Sequence, residues 1–137
     1  MSGSNAPLTL FSLAQRGLSA QLVRMNAAAS NLANAGSVSS SEAGAYRPIR
    51  PVFATALDQQ SGLATVDVQA VQRSTAAPIR QHDPDHPLAD ANGDVWTAPV
   101  DENAEMVEML DSSRQYQNLV EALSTAKQLM LETMRMK

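Results

Sequence analysis

Residues 101–136 read DENAEMVEMLDSSRQYQNLVEALSTAKQLMLETMRM, without one glycine or proline. So long a stretch lacking both breakers predicts one continuous helix, about Asp101 to Met136 and roughly 54 Å long. Asp101 follows Pro99 and Val100 and makes a good N-cap. Glu102, Glu105, Glu108 and Asp111 crowd the start, while Lys127, Arg135 and Lys137 lie toward the end. Both biases suit the helix dipole. Met109, Ser113, Tyr116, Val120, Leu123, Lys127, Met130 and Met134 recur at alternating steps of four and three, the spacing of a coiled-coil seam.

A second helix is expected near the other end, from about Pro7 or Ser12 to Ala35 and roughly 42 Å long. Leu18, Leu22, Met25, Ala29 and Leu32 form its seam, again at steps of four and three. Asn34, Ala35 and Gly36 supply a stop, with Gly36 available for a left-handed cap.

Between the helices lies a different material. Residues 36–100 hold six of the seven prolines and four of the six glycines. Tyr46–Leu57 and Ala64–Gln72 carry partial alternation, with Thr65–Val71 the best strand candidate. Asn92-Gly93, between Leu88 and Trp96, signals a hairpin turn. Two to four short strands are expected. The fold reading is therefore mainly α with a small β insert. Helix 1–35 pairs with helix 101–137 as an antiparallel coiled coil, and 36–100 forms a short hairpin and extended chain at one end.

Composition agrees with an elongated shape. The 137 residues include five aromatics, seven methionines and no cysteine. Few rings mean little buried area per side chain, and no cysteine excludes a disulfide scaffold and a thiol nucleophile. The net charge is −4, divided as +2 over 1–35, −3 over 36–100 and −3 over 101–137. This gives no footprint for nucleic acid. No apolar run approaches the ~20 residues of a membrane span. Residues 1–20 lack the charged start and compact apolar block of a cleaved signal peptide.

Signals for chemistry are weak. His82 and His86 are four apart, but Pro84 and Pro87 forbid the helix that would put both on one face. Asp90-Ala91-Asn92-Gly93-Asp94 starts like a calcium loop, yet its sixth position is Val95 and its twelfth Asp101. Solvated turns are expected at both places, with no metal and no cofactor. Ser37, Ser39, Ser40 and Ser41 form no nucleophile elbow. No phosphate-binding glycine loop is present, and no enzymatic activity is expected.

The first helix has an unusual polar face. Asn26, Ser30 and Asn34 follow at steps of four, with Asn31 beside them. Exposed faces normally carry Lys and Glu, and Asn is a mediocre helix former. Uncharged amides both donate and accept, so identical neighbours can pack without like-charge repulsion. The expectation is that Asn26, Ser30, Asn31 and Asn34 make assembly contacts. The seam Leu18, Leu22, Met25, Leu32, Tyr116, Val120, Leu123 and Met130 holds the helices together in the assembly.

These residues carry a resemblance. Leu18-Ser19-Ala20-Gln21, Met25-Asn26 and Ala29 to Asn34 resemble the N-terminal signature of the flagellar rod and hook proteins. Glu105-Met106-Val107, Ser113 to Tyr116 and Ala126-Lys127 to Met134 resemble their C-terminal helix. Tyr46-Arg47 and Phe53 resemble the strand after the N-terminal loop. Asp83-Pro84 to Asn92-Gly93 and Val95 are similar to the proximal-rod members in particular. The resemblance implies a structural subunit that assembles helically with copies of itself. It would transmit torque across the periplasm and leave by the flagellar type III export apparatus without a cleaved signal peptide. Implied partners are the rod proteins FlgB, FlgF and FlgG and the adapter FliE. Three other readings are a non-flagellar type III secretion rod or needle subunit, a coiled-coil adaptor, and a helix lying on a membrane surface.

Overall fold

The computed structural model describes residues 6–57, 62 and 64–136. The order is α1 (Ala6–Ala33), β1 (Val38–Ser39), β2 (Ile49–Leu57), β3 (Ala64–Arg73), β4 (Ile79–His82), β5 (Asp94–Thr97) and α2 (Glu102–Arg135). α2 starts at the expected cap, where the Asp101 carboxylate accepts from the Ala104 amide at 3.2 Å. α1 ends as its last turn tightens, with the Ala35 amide reaching the Leu32 carbonyl and the Asn34 side chain the Ser30 carbonyl. Gly36 is not the left-handed cap expected there; the positive-φ glycines among the described residues are Gly62 and Gly93.

The expectation of a mainly helical chain with a small insert and a coiled-coil pair is overturned. Residues 38–97 form five strands in two antiparallel sheets. β2 and β3 make a long ribbon from Ile49↔Arg73 to Leu57↔Ala64, with an irregularity between Val52 and Phe53. β1, β5 and β4 form the other sheet, with β5 central. The Asn92-Gly93 turn does not join two strands in a two-residue hairpin. β4 pairs with β5 from Ile79↔Thr97 to His82↔Asp94, so residues 83–93 form the connection. Within it the Asp90 carboxylate takes the amides of Asn92 and Asp94, each at 2.9 Å. An Asp side chain that mimics a backbone acceptor closes a turn without a strand on each side.

Both the ribbon and α2 pack on α1. Arg16 of α1 reaches Thr65 of β3 at 3.2 Å, and Arg24 of α1 reaches Glu108 and Asp111 of α2 at 2.7 and 2.9 Å. The helices run antiparallel, with Gly17 facing Leu119 and Leu10 and Phe11 beside Met130 and Met134. A Cβ on Gly17 would stand 3.1 Å from a Leu119 methyl, so the missing side chain permits the close approach.

The interior is small and polar. Among the described residues, the buried apolar ones include Ala20, Ala27, Ala28, Ala45, Val95 and Ala98, and the largest fully buried side chains are Glu105, Asn31 and Ser112. Large apolar side chains, including Leu22, Val107, Leu110, Val120 and Met134, stand exposed. Alanine burial removes little area from water, so side-chain hydrogen bonds and ion pairs decide which surfaces meet.

Candidate assembly interface

At 3.6 residues per turn, α1 presents three faces about 120° apart. Gly17, Arg24 and Asn31 share the first, which turns to α2 at Gly17 and Arg24. Ser12, Arg16, Ser19 and Val23 share the second, toward Val66, Asp67 and Val68 of β3. Leu18, Leu22, Met25, Ala29 and Leu32 share the third. Leu22 and Ala29 are exposed, and Leu18, Met25 and Leu32 are half-buried.

The positions of the expected seam on α2 differ in exposure. Tyr116, Leu123 and Met130 are half-buried, as a seam requires, but Val120 is 45% exposed and Lys127 and Met134 are exposed. Ser112, Leu119 and Ala126 stand in the protected places instead. Leu119 is drawn in by the space over Gly17. Ser112 is buried because its hydroxyl turns back to the carbonyls of Glu108 and Met109, which satisfies it inside its own helix.

The four polar residues in and just after the end of α1 separate into different roles. Asn26 is exposed. Asn31 is fully buried, and its amide acts within the chain: Nδ2 donates to the Ile49 carbonyl at 2.9 Å, while Oδ1 accepts from the Ile49 amide and the Tyr46 hydroxyl at 2.8 Å each. The Ser30 hydroxyl lies 3.0 Å from the same Tyr46 oxygen. Asn31 thus pairs with the backbone at the start of β2 as another strand would. The Ile49 partner is 18 residues away, so helical spacing carries no trace of it.

Charged groups tie the remaining joints. Glu105 is 1% exposed and lies in the first turn of α2, where the dipole favours a carboxylate. Both of its oxygens take the Arg50 guanidinium of β2, one at 2.8 Å. Hydrogen bonds donated by Arg50 to Glu105, and by Arg24 to Glu108 and then Asp111, raise both guanidinium pKa values despite partial burial. Sequence reading left Arg24 and Arg50 without roles, because their partners are distant in sequence.

On β5, Asp94 is buried and receives His82 Nδ1 at 2.9 Å and Arg80 Nε at 2.8 Å. The hydrogen bond from His82, joined by that from Arg80, holds the Asp94 carboxyl below its usual pKa of 3.8 and outweighs the opposing effect of burial. A depressed folded pKa gives stability that is present above the unfolded value and lost as pH falls through the folded one. Asp94→Asn is therefore expected to flatten the acid limb of the stability curve below about pH 4 and loosen β4 from β5 at neutral pH. Urea midpoints at several pH values check this; an unchanged acid limb would count against it.

His86 Nδ1 accepts the Leu88 amide at 3.0 Å, away from the His82–Asp94 contact. Among the described residues, no group of three or more His, Cys, Asp or Glu is placed to hold a metal ion. No helix there is long and apolar enough to cross a membrane.

Residues 11–36 match the family model for flagella basal body rod proteins, and residues 91–136 match that for the C-terminal region of the basal body rod proteins FlgE, FlgF and FlgG. The chain is 44% identical over 131 residues to the flagellar basal-body rod protein FlgC of Salmonella typhimurium, covering 94% of this chain and 96% of the relative. The FlgC of Escherichia coli O157:H7 is 41% identical over 129 residues, with 94% and 96% covered. The FlgC of Agrobacterium fabrum is 30% identical over 122 residues, with 88% of each chain covered.

Proposed function

Because this chain belongs to the FlgC family of flagellar basal-body rod proteins and is a structural rod subunit, we propose that it builds the proximal rod by helical assembly through the outward stripe of α1. The observation that carries this reading is the third face of α1. Leu18, Leu22, Met25, Ala29 and Leu32 form one apolar row, of which Leu22 and Ala29 stand exposed and the other three are half-buried. A row of this kind is suited to bury itself against a neighbouring copy. Met106, Val107 and Leu110, exposed near the start of α2, and Val120 further along add apolar surface for the same purpose. Asn26, beside the stripe, is exposed, unlike the buried Asn31.

Copies stacked in this way would resist twist through many helix contacts at large radius, which suits torque transmission across the periplasm. FlgB, FlgF, FlgG and FliE are the neighbours this reading assigns, with export through the flagellar type III apparatus and no cleaved signal peptide. The basal-body rod family is structural, and the reading assigns no catalytic step.

The test is Leu22→Asp. Leu22 is 41% exposed, so a carboxylate there meets water in the monomer. Circular dichroism and melting of the monomer should match wild type. In an assembly the same carboxylate would enter an apolar contact, at a cost of several kcal/mol. The subunit should fall by about tenfold or more in purified basal bodies, and swimming should stop. Normal incorporation with normal swimming would show that the stripe is only solvated surface.

A further inference from the structure

Arginine and lysine are scarce in this chain: ten, against fourteen acids. Arg16, Arg24, Arg50 and Arg80 each lie within ion-pair distance of a carboxylate of their own chain. Arg47 and Arg73 have no such partner among the described residues, yet both line one cleft of about 530 Å³, together with Ser37, Ser39 and Tyr46. Two of the few uncommitted cations therefore converge on one polar cavity, at the joint between the end of α1 and the base of the ribbon.

The same chain carries an acidic feature of matching charge. Asp83 and Asp85 flank Pro84 in the connection from β4 to β5, and neither makes an ion pair among the described residues. Their turn is firmly built. The Asp83 amide donates to the Gly93 carbonyl at 2.9 Å, and the His86 amide to the Asp83 carbonyl at 3.1 Å. Gly93 has φ +79°, and a Cβ there would stand 3.0 Å from the Pro84 ring, so the turn packs closely on itself. Proline fixes its own φ as well. Two carboxylates held one residue apart on a preorganised turn lose little entropy on docking.

We infer that the Arg47–Arg73 cleft of one subunit receives the Asp83-Pro84-Asp85 turn of a second copy. The inference rests on the rod reading above and names one contact within it. Guanidinium and carboxylate form charge-assisted, often bidentate hydrogen bonds. Cleft and turn are different surfaces of the chain, so the contact is heterologous and can repeat from copy to copy along an open helix. It also neutralises charge where subunits of net charge −4 approach one another.

The test is a charge swap, scored as the amount of this subunit in purified basal bodies from cells lacking the wild-type copy. Arg47→Glu with Arg73→Glu should reduce it about tenfold, as should Asp83→Arg with Asp85→Arg, while all four changes together should restore at least about half. Monomer circular dichroism should match wild type throughout. If either charge-reversed pair unfolds, Arg47→Gln with Arg73→Gln and Asp83→Asn with Asp85→Asn replace them, with a reduction of about threefold or more expected. A direct reading comes from Ala43→Cys, at the cleft, with His86→Cys, beside the turn, in a chain that has no other cysteine. Oxidising intact basal bodies should give covalent multimers. Wild-type incorporation by the reversed or neutral pairs, failure of the swap to improve on them, or absence of cross-linked multimers would each overturn the contact and leave the rod assignment standing. Absence of the wild-type chain from basal bodies would overturn both.

Discussion

Arg50→Met is expected to lower the stability of the monomer by about 2–4 kcal/mol at neutral pH. Methionine keeps most of the side-chain volume, so the loss is that of the charge. Glu105 is 1% exposed and both of its carboxylate oxygens depend on Arg50. Without the guanidinium the carboxylate must stay buried and uncompensated, take up a proton, or pull the first turn of α2 toward water. The Arg50 side chain is itself 48% exposed, so water can partly replace it, which places the effect toward the lower end of that range. Replacing both partners, as Arg50→Met with Glu105→Leu, should recover most of the loss, because an apolar pair leaves no buried charge behind. Urea unfolding of the four proteins gives the coupling directly. A single variant within about 0.5 kcal/mol of wild type, with no coupling, would mean that the pair does not tie the ribbon to α2.

Asn31→Ala should be nearly as damaging. On helix propensity alone alanine gains a few tenths of a kcal/mol. Three hydrogen bonds oppose that gain: two to the Ile49 backbone and one from the Tyr46 hydroxyl. Removing the amide strands the partners at the start of β2, at ~1–3 kcal/mol for each group left unsatisfied away from water. A net loss of about 2–3 kcal/mol is expected, with faster hydrogen exchange at Ile49. Asn26→Ala, at an exposed position of the same helix, should leave the monomer unchanged or slightly more stable. Melting curves of the two variants side by side decide the matter. Equal stability would return Asn31 to the surface role expected from its spacing.

The extents of the helices were legible in the sequence because the signals that set them are local. The Asp101 cap, the absence of Gly and Pro from 101 to 136 and the Asn-Ala-Gly stop after α1 act within a few residues of where they stand. The alternation in Tyr46–Leu57 and Ala64–Gln72 likewise falls where β2 and β3 form. The tertiary structure alone decided which faces those elements bury. A four-three row of apolar residues shows that a helix has a sticky side but not what covers it. Here α2 takes the side of Gly17 and Arg24, since a missing Cβ admits Leu119 and two carboxylates await the guanidinium. Within the row from Leu18 to Leu32, Leu22 and Ala29 stay exposed while the other three are half-buried. The buried places occupied by Asn31 and Glu105 were equally hidden, because each is made tolerable by a partner 18 or 55 residues away. Burial of a polar group follows from the partner that satisfies it, and spacing along the chain carries no record of that meeting.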